Sequence, residues 1–219
     1  MSTQCEPSSR VRLIDVAILC FAEKGFDATS IREIAKRARV NSALVHYYFG
    51  CKTGLYVGAL NHIFSCRPLK LASIPVSADQ PGARLEAIQA LGVVIENMLR
   101  ELMTCSDGSA LDKASLLLVT RELQNPREDV ALLILEHMRP FHDNILGCLK
   151  ILRPDLDRLT TMDYMCSIIG QVTHLHNHLT LIRMSRNEPN YPSDLAAVAR
   201  HITEFSLRGI GIPEAFPGA

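Results

Sequence analysis

Residues 30–52 read Ser30-Ile31-Arg32-Glu33-Ile34-Ala35-Lys36-Arg37-Ala38-Arg39-Val40-Asn41-Ser42-Ala43-Leu44-Val45-His46-Tyr47-Tyr48-Phe49-Gly50-Cys51-Lys52. Ile31, Ile34, Ala35 and Ala38 recur at three and four residues, the pattern of a short helix with one buried face. Ser30 and Glu33 have the S-x-x-E spacing of a capping box, in which the hydroxyl and the carboxylate each satisfy a free backbone N–H. A second short helix is expected over 41–49, after a turn of about three or four residues, the dimensions of a helix-turn-helix. Ile31, Ile34, Ala35, Val40, Val45 and Phe49 are expected to hold the two helices against a preceding one, with Ala35 small where they cross. The other face of the second helix carries Ser42, His46, Tyr47 and Tyr48, followed by Lys52. Tyr hydroxyls and Lys ammonium groups donate to phosphate, and Ser and His are short enough to reach base edges from a helix in a major groove.

The stretch is embedded in a chain that reads as helical throughout. Upstream, Leu13, Val16, Ala17, Cys20 and Phe21 mark one buried face, and Gly25 is a natural stop. Downstream, 52–65 reads as a fourth helix. Three prolines within 67–82 (Pro68, Pro75, Pro81) mark a loop or linker. Helical patterns follow over 83–103, 112–124, 127–152, 156–183 and 193–207, some separated by Asn125-Pro126 and Arg153-Pro154. Pro140 predicts a kink or break after Met138. No period-two alternation bounded by turn residues is present, so the expected class is all-α.

The formal net charge of the 219 residues is zero, with 23 Lys and Arg against 23 Asp and Glu, and 47% of residues are hydrophobic. Neutrality taken whole argues against a basic nucleic-acid binder and against a disordered chain. Divided, it reads differently. Residues 1–70 hold ten Lys and Arg against five Asp and Glu, and 71–219 hold thirteen against eighteen. That asymmetry places a nucleic-acid contact at one end. A helical adaptor or sensor without DNA binding is the alternative, and it requires the basic excess to be incidental.

Seven cysteines are spaced at least fifteen residues apart, with no C-x-x-C, so they read as reduced and mostly buried. The first ten residues are polar and no apolar run approaches membrane-spanning length, so a cytoplasmic protein without membrane association is expected. No Gly-rich phosphate loop, H-E-x-x-H or G-x-S-x-G occurs, which argues against an enzyme and supplies no cofactor site.

The residues Phe21-Ala22-Glu23-Lys24-Gly25-Phe26, Ser30-Ile31-Arg32-Glu33-Ile34-Ala35, Ala38-Arg39-Val40-Asn41 and Val45-His46-Tyr47-Tyr48-Phe49-Gly50-Cys51-Lys52 resemble the N-terminal domain of TetR-family transcriptional regulators. The resemblance implies a three-helix helix-turn-helix DNA-binding domain over 1–52, a helical ligand-sensing and dimerisation domain over 53–219, and a homodimer on a (pseudo)palindromic double-stranded DNA operator, with repression relieved by a small-molecule effector. It also implies the contact set. Ser30 caps the second helix and can touch phosphate. Asn41 caps the recognition helix. Ser42, Ala43 and His46 face bases. Tyr47, Tyr48 and Lys52 grip the backbone, with Arg32 and Arg39 adding charge beside DNA. The family often has Gly where this chain has Arg39, so Arg39 either takes a left-handed conformation, at about 1–2 kcal/mol, or the turn differs.

Farther on, Arg121-Glu122-Leu123-Gln124-Asn125-Pro126 and Ile168-Ile169-Gly170-Gln171 resemble the subgroup with a YbiH-like (CecR-like) C-terminal region. Arg121 and Glu122 are candidates for a pocket wall or an internal ion pair, and Gln171, His174 and His178 for ligand contacts. His174 and His178 share a helical face but need a third ligand to hold a metal, and no metal site is expected. Met165, Ile168, Val172, Leu175, Leu179 and Ile182 recur at 3-4 spacing, as do Leu195, Val198, Ile202 and Phe205. Two such seams suit a four-helix dimer interface, although each also suits packing on its own core. On the first reading, a charge at Leu179 or Ile202 weakens both dimerisation and operator binding.

Overall fold

The computed structural model describes residues 8–66, 72, 79 and 81–212. Among them are ten helices and no strand: α1 Ser9–Ala28, α2 Ile31–Arg37, α3 Ala43–Phe49, α4 Lys52–Cys66, α5 Ala83–Asp107, α6 Ala110–Gln124, α7 Ala131–Leu152, α8 Arg158–Asn177, α9 Leu179–Arg186 and α10 Leu195–Gly209. Most of the 67–82 linker lies outside the described residues.

The chain forms two compact units that are discontinuous in sequence. The first takes residues up to 68 together with 104–137, and the second takes 69–103 together with 138–219. The region assigned from sequence to sensing therefore contributes α6 to the same unit as the helix-turn-helix. Of the kink or break expected after Met138, a break is absent: helix α7 is continuous through Pro140, and the division between units falls just before Met138. The helix expected over 156–183 is broken at His178, the cap shared by α8 and α9.

In the first unit, Leu13, Ile14, Ala17, Ile18 and Phe21 of α1 are buried against Ile34, Ala35, Val45, Leu55 and Leu60, and Leu118 of α6 joins the same core. Each fully buried Leu, Ile or Phe contributes about 1.5–3 kcal/mol of transfer free energy. Phe21, Phe26 and Tyr56 form an aromatic trio, the Tyr56 ring meeting the other two edge-on at 4.9 and 5.1 Å. In the second unit, Leu91, Val94, Ile95 and Leu99 of α5 meet Ile145, Cys148 and Leu149 of α7, Ile168 and Val172 of α8, and Ile202 of α10. Cys20, Cys105 and Cys148 are buried as expected, whereas Cys51, Cys66 and Cys166 are exposed.

Candidate nucleic-acid interface

The site begins with the end of α1. Gly25 leaves the helical conformation at φ +80°, so the expected stop is a sharp break within the element. Thr29 then donates its hydroxyl to the carbonyls of Gly25 and Cys20, at 2.7 and 3.2 Å, fixing the entry to α2. Ser30 caps α2 by accepting the Glu33 N–H at 3.1 Å. The Glu33 carboxylate turns away from the expected capping box and pairs with Lys24. Arg37 at the other end of α2 pairs with Glu23 at 2.7 Å. Exposed pairs such as these contribute little stability, but they orient α2 on α1.

Arg39 has φ +55°, the left-handed conformation that favours glycine. The turn keeps its shape and carries an exposed guanidinium at the corner. The Asn41 side chain accepts the Ala43 N–H at 2.9 Å, so Asn41 caps α3 from the position before its geometric cap, Ser42, which makes no side-chain cap bond.

Helix α3 buries Val45 and exposes Ala43, His46, Tyr47 and Tyr48. Tyr47 is 79% exposed, which an aromatic ring on a small helix does not reach by packing economy. His46 Nδ1 lies 2.9 Å from the Gly50 carbonyl, which only accepts, so Nδ1 carries a hydrogen and ties the ring to the end of α3. Lys52 donates to the Asp27 carbonyl at 3.1 Å and lies 4.4 Å from the Phe26 ring centroid. Its ammonium has two further donors. Ser30 and Arg32 are exposed beside α3 in sequence, on α2 and its cap.

Two features of this unit were missed in the sequence. Gly54 and Gly58 of α4 pass under the end of α3: a Cβ at Gly54 would lie 2.0 Å from the Phe49 carbonyl oxygen, and one at Gly58 would lie 3.1 Å from the Phe49 ring. The four-residue glycine spacing was the available signal. The second feature is a brace from α6. Arg121 donates to the carbonyls of Phe21 and Ala22, at 3.3 and 2.7 Å. Buried Glu122 accepts the Tyr56 hydroxyl and, at 3.0 Å, the Arg127 N–H. Burial, with the Glu122 carboxylate beside it, pushes the Tyr56 phenol well above its ordinary value. The Arg127 guanidinium covers the Phe26 ring at 3.6 Å and pairs with Asp129 at 2.9 Å. Arg121 and Glu122 thus each bind a different partner within the DNA-binding unit.

Residues 13–59 match the model for bacterial regulatory proteins of the tetR family, and 87–210 match the C-terminal domain of the HTH-type transcriptional dual regulator CecR. The second match alone covers more than half of the chain. The chain belongs to the TetR family. That membership places it among transcription regulators rather than enzymes. Similar proteins include YuxN of Bacillus subtilis, an uncharacterized HTH-type transcriptional regulator, 31% identical over 40% of this chain and 29% of that protein. The HTH-type transcriptional regulator BetI of Paraburkholderia phymatum is 36% identical over 37% of this chain and 42% of its own length. The chain thus spans less than half the length of these relatives. Among solved structures, a TetR transcriptional regulator from Agrobacterium tumefaciens aligns with TM-score 0.60 at 20% identity, over 92% of this chain and 94% of that one. The regulator FadR from Bacillus subtilis in complex with stearoyl-CoA aligns with TM-score 0.56 at 17% identity, over 91% and 98%. Both share the fold.

In this TetR-family chain the expected pairing seam is largely internal. Met165, Ile168, Val172, Leu175 and Ile202 lie in the core of the second unit, and Leu179, Ile182, Leu195 and Val198 are half-buried against it. The five buried side chains pack on their own chain and offer no surface to a second copy, while the four half-buried ones keep part of their surface in solvent. Phe205 alone of the set is turned outward, 62% exposed. Gln171 donates to Ser206 at 3.1 Å, joining α8 to α10. His174 and His178 are exposed and stacked at 4.4 Å. Among the described residues no group of three or more His, Cys, Asp or Glu is placed to hold a metal ion, and no helix is long and apolar enough to cross a membrane.

Proposed function

We propose that the chain is a homodimeric, cytoplasmic repressor that binds a (pseudo)palindromic DNA operator and is released by a small molecule. The observation that carries this reading is the exposed face of α3, where Ala43, His46, Tyr47 and Tyr48 are presented to solvent by a rigidly capped turn. Ser42, Ala43 and His46 read bases. Tyr47, Tyr48, Ser30 and the cations Arg32, Arg39 and Lys52 contact the phosphate backbone. Domain 1–52 supplies this recognition and 53–219 supplies pairing and sensing, with α6 of the latter held to α1 and α4 through Arg121 and Glu122.

Pairing is expected through the outward faces of α8, α9 and α10, where Leu159, Met162, Leu181, Met184 and Phe205 are exposed. Two copies then place two recognition helices on half-sites about 34 Å apart. The effector acts by binding one spacing of those helices more tightly than the other. Support for a ligand comes from the shared fold of the FadR complex with stearoyl-CoA.

The test is salt-dependent binding of DNA upstream of its own gene, followed by fluorescence anisotropy. Tyr48→Ala and Lys52→Ala are expected to weaken binding, and Lys52→Ala to reduce the slope of log K against log salt by about 1. Absence of binding to that DNA and to neighbouring promoters would sink the proposal.

A further inference from the structure

Cys66 ends α4, one helical turn after His62, and its sulfur lies 3.6 Å from Nε2 and 3.9 Å from Nδ1 of that ring. The same Nε2 lies 3.8 Å from Oδ1 of Asp15, which projects from α1. Cys66 is exposed, whereas His62 and Asp15 are half-buried, with about a third of each side chain reaching solvent. Burial raises the Asp15 carboxyl above its ordinary value, and the facing His62 ring pulls it back. Nothing in the DNA-binding surface or the α6 brace uses these three residues.

A thiol, an imidazole and a carboxylate in this order form a nucleophile, a base and a counter-charge. We infer that Cys66, with His62 as its base and Asp15 holding the resulting imidazolium, is a reactive thiol site for soft carbon electrophiles of the α,β-unsaturated carbonyl class. His62 takes the Cys66 proton as the sulfur attacks the β-carbon. A C–S bond forms, the C=C π pair moves through the α-carbon onto the carbonyl oxygen, and the enolate then takes the proton back from His62 at the α-carbon. S–H has added across the double bond, with no oxidant or reductant consumed. Cys51 supplies the contrast: it too is exposed, but its sulfur accepts the Gly54 N–H at 3.4 Å and has no imidazole beside it among the described contacts.

The experiment is time-resolved labelling of the folded full chain with substoichiometric N-ethylmaleimide, with site occupancies read by peptide mass spectrometry. Cys66 is expected to react about tenfold faster than Cys51. His62→Gln is expected to bring Cys66 down to the Cys51 rate while leaving Cys51 unchanged. Equal rates at the two sites in the unaltered protein would overturn the inference without recourse to any variant. An unchanged Cys66 rate in a folded His62→Gln protein would overturn it as well.

Discussion

Helices α3 and α8 both carry an apolar stripe at three- and four-residue spacing, and the two stripes read differently in the sequence. In α3, the stripe through Val45 was assigned to the chain's own core and the opposite face to DNA, and the structure buries Val45 while leaving Tyr47 in solvent. In α8, the stripe through Met165, Ile168, Val172 and Leu175 was assigned to a second copy, yet it lies in the core of the second unit. Periodicity states that a face is buried and is silent about what buries it. On α3 the exposed side could be told from the buried one because it carried a chemically interpretable set of side chains. On α8 the opposite face holds Leu159, Met162, Cys166 and Gly170, which look unremarkable in sequence and emerge only as an exposed apolar strip.

The comparison is broken most severely by a charge in the α8 stripe. Val172→Asp places an unpaired carboxylate in a fully buried site and is expected to cost about 3–5 kcal/mol, read by thermal denaturation. Phe205→Asp, on the outward face of α10, is expected to change the stability of one chain by no more than about 0.5 kcal/mol while shifting sedimentation toward monomer. A Val172→Asp protein that stays folded and becomes monomeric would return the seam to the interface between copies.

A second break acts on the brace in the first unit. Tyr56→Phe leaves a buried oxygen of Glu122 without its donor and is expected to cost about 1–3 kcal/mol. The pH dependence follows from the raised Tyr56 phenol. The folded protein holds that proton more tightly than the unfolded chain does. The contribution is therefore fully present below the ordinary phenol value of about 10 and is lost as pH rises beyond it. Alkaline denaturation of Tyr56→Phe is accordingly expected to be less steep, measured as the difference in melting temperature between neutral and high pH.

The smallest effect is expected at Arg39. Arg39→Gly removes the left-handed strain and is expected to raise stability by up to about 1 kcal/mol, because glycine's greater freedom in the unfolded chain offsets part of the gain. The same variant is expected to bind DNA more weakly, through one lost charge. A protein destabilised by this change would show that the Arg39 side chain has a structural role.

Much of the first unit was legible in its sequence. Ser30, Gly25 and Asn41 are short-range signals whose partners lie within four residues, so the local chain suffices to interpret them. Arg121 and Glu122 show the limit. Their charge on an apolar helix marked them as internal or ligand-facing, but their partners, Ala22 and Tyr56, are 99 and 66 residues away. Only the packing of α6 against α1 and α4 brings them together. Gly54 and Gly58 differ: Phe49 is only five and nine residues away, but it belongs to another helix, so the need for glycine appears only once α3 packs on α4.

By itself, then, the sequence determined the helices, most of their caps, the helix-turn-helix and the division of charge between the two ends. All of these depend on interactions within a turn or two of chain, or on composition. Tertiary structure decided which apolar stripe meets which, that α6 belongs with the DNA-binding helices, and that His62, Cys66 and Asp15 converge. Burial is non-directional and every apolar face satisfies it equally well, so the choice among partners is made only when all the helices compete for the same core.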